Sequence, residues 1–259
     1  MSVLAQILER KREEIAKLRM ERPESRLAAE ARAASTPRGF ARALRETQQP
    51  RVIAEFKRAS PSRGVIRGDA DPAGVARAYA DAGAAALSVL TDAHFFRGGL
   101  DDLVAARAAC PLPVLRKDFT LEPLQVLEAR AAGADAVLLI AAALDDASLR
   151  ERLAVTAEQG MDALVEVHCR EELDRVLAAG AELVGVNNRD LHSFETDVAV
   201  TRALIPHAAG RTLVSESGLR SAATLRELQT AGVHAFLVGE ALMRRTDPGV
   251  ALRELRGTP

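Results

Sequence analysis

Lysine, glutamate and asparagine recur in this chain at the places where short apolar runs stop. Pro113–Phe119 reads Pro-Val-Leu-Arg-Lys-Asp-Phe, and Leu115 and Lys117, two apart on an extended strand, face the same way. Strands of a parallel sheet are buried on both faces and read as apolar runs, so a lysine closing one stands out. Lys117 is expected to point into an active site. Glu55 and Lys57 close an earlier run and share a face, an acid beside a base. Glu166 has the inward parity of Leu164-Val165-Glu166-Val167-His168, and Asn187 and Arg189 share a face in Gly185-Val186-Asn187-Asn188-Arg189. Two later runs end Ser215-Glu216-Ser217-Gly218 and Val238-Gly239-Glu240. Burying an ionisable side chain is costly unless it is paired. Mutual pairing, Glu55 with Lys57 and Glu166 with Lys117, accounts for part of the set; a shared catalytic cavity accounts for the common position.

The last two strand ends have a second use. Ser217-Gly218 and Gly239-Glu240 precede the final two helical segments, where barrels bind phosphate through backbone N–H groups. Glycine at 218 and 239 lets the backbone approach an anion closely. Lys57 and the loop Ser60-Pro61-Ser62 add to that reading.

The elements that must hold these residues alternate from Arg51 onward. Strands are expected at 52–56, 86–90, 114–117, 136–141, 163–167, 183–187, 212–216 and 235–239. Helices are expected at 72–81, 100–109, 121–131, 146–159, 170–179, 197–205, 220–230 and 248–255. Asp71 before Pro72 and Ser221 are good helix-starting residues. Four helices end in one refrain, Ala82-Gly83-Ala84, Ala132-Gly133-Ala134, Ala179-Gly180-Ala181 and Ala231-Gly232-Val233, each with a glycine suited to a left-handed C-terminus. The refrain returns roughly every 50 residues, about two strand–helix units. Eight strands and eight helices give an α/β fold, a closed (β/α)₈ TIM barrel. An open doubly wound sheet is the alternative, weakened by the lack of Gly-x-Gly-x-x-Gly after the first strand. Residues 1–46 form an N-terminal helical extension in which Leu4, Ile7, Leu8, Ile15 and Leu18 sit at helical spacing. It is read as a packing extension; its functional version would cap one end of the barrel and help close the site. The whole of 1–259 is taken as one barrel domain.

Composition narrows the function. The 259 residues suit one barrel of about 250. Basic and acidic residues balance at 35 and 36, which gives no support to nucleic-acid binding. Cys110 and Cys169 fit neither a disulfide framework nor a zinc pattern. His94, His168, His192, His207 and His234 are too dispersed for a metal site and are read as incidental. The first 22 residues lack an apolar signal core, and no apolar run reaches the roughly 18 residues of a membrane span. A soluble, cytoplasmic protein is expected, with no membrane or nucleic-acid partner.

The motifs carry a resemblance. Glu55-Phe-Lys-Arg-Ala-Ser-Pro-Ser62, Leu90-Thr-Asp with Phe95-Phe96-Arg-Gly98, Leu115-Arg-Lys-Asp-Phe119, Val165-Glu-Val-His168, Gly185-Val-Asn-Asn-Arg-Asp-Leu191 and Ser215-Glu-Ser-Gly218 together resemble the indole-3-glycerol phosphate synthase family over essentially the whole chain. The resemblance implies a lyase of tryptophan biosynthesis that closes a ring with loss of carbon dioxide and water. Its substrate would be 1-(2-carboxyphenylamino)-1-deoxyribulose 5-phosphate, with no metal or organic cofactor. Position by position, it implies Lys117 as general acid, Glu166 as general base, and Lys57 as a second lysine that binds substrate and protonates the departing hydroxyl. It implies Glu55 and Asn187 as an orienting pair, and Ser60, Arg189 and Glu216 as further substrate contacts. Pro61, Phe96, Phe119, Leu139 and Leu191 fall where the family holds the anthranilate ring. Lys57, Ser217, Gly218, Gly239 and the backbone N–H of Glu240 fall at its phosphate site; some members have serine where Glu240 stands. A monomer is expected, with weak contacts to neighbouring pathway enzymes.

The chemistry suits these residue types. Ring closure onto an aromatic carbon needs a strong proton donor at the attacked carbonyl, and dehydration needs one acid and one base. Each well-placed group contributes about 10²–10⁴ in rate. A partly desolvated lysine among other cations would have its pKa lowered towards a useful range. Two other readings stand beside this one. A related phosphate-binding barrel, such as an isomerase of the same pathway, lacks the Lys57/Lys117/Glu166 set. A non-catalytic barrel that only binds a sugar phosphate has no need of a Lys–Glu pair at its strand ends.

Overall fold

Short runs of branched apolar residues build the sheet, and the chain's parity sorts their side chains into two layers. The computed structural model describes residues 3–190, 193–208 and 210–257. Eight parallel strands, β1 (Val52–Phe56), β2 (Ala86–Leu90), β3 (Val114–Lys117), β4 (Ala136–Ile140), β5 (Asp162–Val167), β6 (Leu183–Asn187), β7 (Thr212–Glu216) and β8 (Ala235–Val238), pair in chain order. β1 closes the ring on β8, with Val52 opposite Phe236 and Ala54 opposite Val238. Successive side chains of a strand point to opposite faces. Ile53, Leu115, Leu138, Leu164, Val214 and Leu237 therefore fill the barrel, while Val52, Leu87, Val137, Val165, Val184 and Phe236 pack under the helices.

The refrain works as its glycines require. Gly83, Gly133, Gly180 and Gly232 all have positive φ, from 80° to 120°, which glycine adopts without the steric cost of a Cβ. Asp71 and Ser221 cap their helices, accepting from Gly74 and Thr224 N–H respectively. Expected and observed strands differ by at most one residue at an end. The helix expected from Leu121 starts instead at Pro123, because a residue before proline is driven out of the α region. Two short helices escaped the sequence reading, Ala93–Phe96 and Glu240–Met243, as did a small hairpin pairing Ala59 with Val65.

The extension divides its work between the two ends of the barrel. α1 (Val3–Glu21) and α2 (Glu24–Ala33) are followed by α3 (Phe40–Glu46). On α3, Phe40, Ala41 and Leu44 are buried with Ile53, Ala86 and Ala235, plugging the end where strands begin. Asp135 and Asp162, at the starts of β4 and β5, accept from the N–H groups of Arg38 and Ala41, 2.8 Å each. α1 lies at the opposite end, where Val3, Leu4 and Ile7 line the cavity over the strand C-termini. The expectation of a mere packing extension is corrected here: one stretch of the chain closes the barrel floor and another roofs the cavity.

Candidate active site

The strand ends singled out in sequence surround one cavity of about 1070 Å³. Lys117 stands at the end of β3 with its Nζ 2.8 Å from Glu166 Oε2 and 2.7 Å from Glu216 Oε2. Asn187 donates to the other oxygen of Glu166, Oε1, at 3.1 Å. Lys57 Nζ lies 2.7 Å from Glu55 Oε1, so both expected Lys–Glu pairs form. Glu55, Glu166 and Glu216 are each at most 4 % exposed. Two glycines make room for them, since a Cβ at Gly185 would collide with Glu216 and one at Gly239 with Glu55.

The electrostatics differ from the sequence expectation at Lys117. Burial alone would depress the lysine, but Glu166, then Glu216 and Glu55, outweigh it and hold its pKa well above the ordinary range. Its neighbours are carboxylates, not cations, so the expected lowering is reversed. Burial favours the neutral form of Glu166 as well, yet Lys117 and then His168 hold that carboxyl far below the usual range. Glu216 goes the other way. Burial raises it, Lys117 pulls against that, and the nearby Glu166 charge raises it again, leaving it at about 7. Its second oxygen, Oε1, is buried with no hydrogen-bond partner among the described residues, which also favours the protonated form.

The rest of the cavity sorts into an aromatic and an arginine-rich polar end. Phe96 and Phe119 line it with ring centroids 6.3 Å apart, and Ser60 and Pro61 lie on its wall. Leu139 does not. It is fully buried under the helices, and Leu138 and Ile140 line the cavity in its place; the expected contact is off by one residue, which on a strand means the opposite face. Leu191 lies outside the described residues. At the other end come Ser217, Gly218, Gly239 and Glu240. Ser217 and Gly218 have φ of 66° and 75°, a tight left-handed turn at the rim. The Glu240 carboxylate gathers Arg244 at 3.2 Å, Arg63 at 3.3 Å and Arg189 at 3.7 Å. Arg189 also donates to Phe194 O at 3.0 Å.

Four contributors were missed in sequence. Lys11 of α1 is 3 % exposed and lies 2.8 Å from Asp118 and 3.0 Å from Asp92. Asp118 follows Lys117 and is further held by Thr91 and Arg116. Nothing in a charged helix marks one lysine as buried. Arg63 and Arg244, on loop and helix end, carried no signal either. His168 did: it lies two residues after Glu166, the spacing that put Glu55 with Lys57 on one face. The reading of His168 as incidental is corrected. Among the described residues no cluster of three His, Cys, Asp or Glu side chains could hold a metal ion, and no helix is long and apolar enough to cross a membrane.

Fold and site define a (β/α)₈-barrel enzyme with its ionisable groups at the C-terminal ends of the strands. Sequence comparison narrows the class. The family model described as indole-3-glycerol phosphate synthase matches residues 4–255. An indole-3-glycerol phosphate synthase of Rhizorhabdus wittichii is 54 % identical over 256 residues, 97 % of each chain. One from Bordetella pertussis is 51 % identical over 257 residues, 98 % of each. The chain belongs to the indole-3-glycerol phosphate synthase family. Among solved structures, a 3-hexulose-6-phosphate synthase superposes with a TM-score of 0.64 at 20 % identity, over 80 % of this chain and 98 % of that one. A thiamine phosphate pyrophosphorylase from Pyrococcus furiosus gives 0.62 at 18 %, over 80 % and 94 %. At those identities the likeness is one of fold.

Proposed function

We propose that this protein is a carboxy-lyase that converts 1-(2-carboxyphenylamino)-1-deoxyribulose 5-phosphate to indole-3-glycerol phosphate, carbon dioxide and water. The observation that carries this reading is the Lys117 ammonium bonded to both Glu166 and Glu216 in a cavity that also holds the Lys57–Glu55 pair. Family membership supplies the substrate; the site supplies two lysines and three buried glutamates to move protons on it.

In this reading the ring sits by Phe96, Phe119, Leu138 and Ile140, with the phosphate at the Ser217–Gly218 and Gly239–Glu240 end. The ring carbon bearing the carboxylate attacks the ketone carbon, and Lys117 gives its proton to the ketone oxygen. Its raised pKa keeps the proton loaded in the free site, so donation requires the substrate to weaken the contacts with Glu166 and Glu216. Loss of carbon dioxide returns its bonding electrons to the ring and restores aromaticity. Lys57 then protonates the departing hydroxyl, Glu166 takes a proton from the substrate, and water leaves. Asn187 steadies Glu166 through the 3.1 Å hydrogen bond.

The test mixes purified protein with the carboxyphenylamino-deoxyribulose phosphate and follows indole fluorescence. The chain has no tryptophan, so the background is low. Turnover is expected, and Lys117→Ala should lose about 10²–10⁴ of it with an unchanged fold. Folded protein that binds the substrate without turnover would move the assignment to a sugar-phosphate-binding barrel.

A further inference from the structure

His168 lies just past β5, on the same side of the strand as Glu166. Its Nε2 is 3.4 Å from Glu166 Oε1, and its Nδ1 is 3.2 Å from Glu172 Oε2. Glu172, in the first turn of the helix Arg170–Ala178, also accepts the backbone N–H of His168 at 2.7 Å. The ring is thus hydrogen-bonded through Nδ1 to Glu172 behind it, while its buried Nε2 faces Glu166 on the reaction side at ion-pair distance and has no hydrogen-bond partner of its own among the described residues. We infer that His168 is a positioning residue for Glu166: anchored by Glu172, it fixes the Glu166 carboxylate opposite Lys117 and keeps it ionised. The inference rests on the reading of Glu166 as the base.

The arrangement around Glu166 makes the need concrete. Lys117 from β3 takes Oε2 and Asn187 from β6 takes Oε1. Glu216 on β7 shares the Lys117 ammonium and repels Glu166. When Lys117 turns towards a substrate, Glu166 loses its main counter-charge while a second carboxyl stays close. A cation at Oε1 offsets that loss. Burial would lower the ring's own pKa, but Glu166 and Glu172 raise it to about 10, so the ring is charged throughout the neutral range. On its far side a second cavity of about 450 Å³ brings Arg189, Asp190, Glu195 and Asp197 near the pair His168–Glu172. Among the described residues, Glu166 and Glu172 are the charged groups within ion-pair distance of the ring.

The test compares wild type, His168→Gln and Glu172→Gln. His168→Gln keeps an amide donor and removes the charge; Glu172→Gln keeps an acceptor for the His168 N–H. The readout that does not depend on turnover is the titration of Glu166 by NMR of ¹³C-glutamate-labelled protein, assigned by the signal lost in Glu166→Gln. In His168→Gln the Glu166 titration should rise by about one pH unit or more, and kcat should fall by roughly 10- to 100-fold. In Glu172→Gln the ring should lose its proton below its present value of about 10, drawing the alkaline fall in kcat to lower pH. His168→Ala opens a hole beside the second cavity, and added imidazole should restore activity only where it is protonated. An unmoved Glu166 titration in folded His168→Gln overturns the inference, as does a uniform loss of kcat with no change in the pH profile. Absence of turnover in wild type would count against the assigned reaction, whereas the Glu166 titration judges His168 by itself.

Discussion

Lys117 at the end of β3 reaches Glu216 at the end of β7, Nζ to Oε2 at 2.7 Å, across 99 residues of sequence. In the closed strand order these two strands stand opposite one another. An eight-stranded barrel has an interior just wide enough for side chains to fill, so groups on opposite walls meet at its centre. Lys117 opposes protonation of Glu216 through that contact, but burial and the nearby Glu166 charge outweigh it.

Glu216 should give stability a pH dependence of definite sign. Its folded pKa, about 7, lies above the ordinary glutamate value of about 4.3. The native state therefore binds the proton more tightly, and the contribution is complete below the unfolded value. It is lost as pH rises through about 7. Melting temperatures measured from acid to mildly alkaline pH should fall across that window in wild type and flatten in Glu216→Gln. The same slope in the variant would mean that another group titrates.

Lys11 should matter far more than a typical helix lysine. Lys11→Met leaves Asp92 and Asp118 buried without their shared cation, and stranding buried charge costs about 3–5 kcal/mol. Lys17→Met, whose side chain is 73 % exposed, should cost at most about 0.5 kcal/mol. Denaturant unfolding of the two variants settles the comparison. Since Asp118 follows Lys117 directly, activity in the Lys11 variant should fall even at temperatures where the protein remains folded.

The parity of β4 separates binding from packing. Leu138→Ala and Leu139→Ala both remove buried leucine and should each cost about 2–5 kcal/mol. Leu138 lines the cavity and Leu139 does not, so KM should rise by roughly ten-fold or more only in Leu138→Ala. A KM change confined to Leu139→Ala would reverse the assignment of faces.

Glu240 holds three arginines at the end of the cavity where the proposed function puts the phosphate. Glu240→Gln removes a negative charge from that end of the cavity, and a like charge at this range is worth on the order of 1 kcal/mol or more. Inhibition by inorganic phosphate should therefore tighten by about ten-fold. Weaker inhibition would show instead that the carboxylate serves to order Arg63, Arg189 and Arg244.

Much of this protein was legible without coordinates. The glycine refrain and the alternation of apolar runs gave the barrel, because strand and helix periods are local properties of the chain. Parallel order places every strand C-terminus on one side, so Glu55, Lys57, Lys117, Glu166, Asn187 and Glu216 could be assigned to one cavity before any distance was known. His168 was legible too, by the same two-residue spacing, and was passed over. Leu139 was not: Ala-Val-Leu-Leu-Ile is apolar at every position, and a strand buried on both faces shows no alternation from which to read its parity.

What the tertiary structure alone decided is who faces whom across the barrel. Sequence paired Lys117 with Glu166 but expected other cations around it and did not foresee Glu216 as a second partner, and Coulomb interactions of a few ångströms turn on the sign of each neighbour. Carboxylates on β5 and β7 converge on the lysine, so its pKa rises where a cationic neighbourhood would have lowered it. Lys11 is buried for the same reason, because α1 crosses the barrel mouth over two aspartates that follow different strands. The sequence by itself determined which ionisable strand-end residues reach the cavity, through local periodicity. The further charge partners, Glu216 for Lys117 and the two aspartates for Lys11, depend on contacts between distant segments, and no local pattern records those.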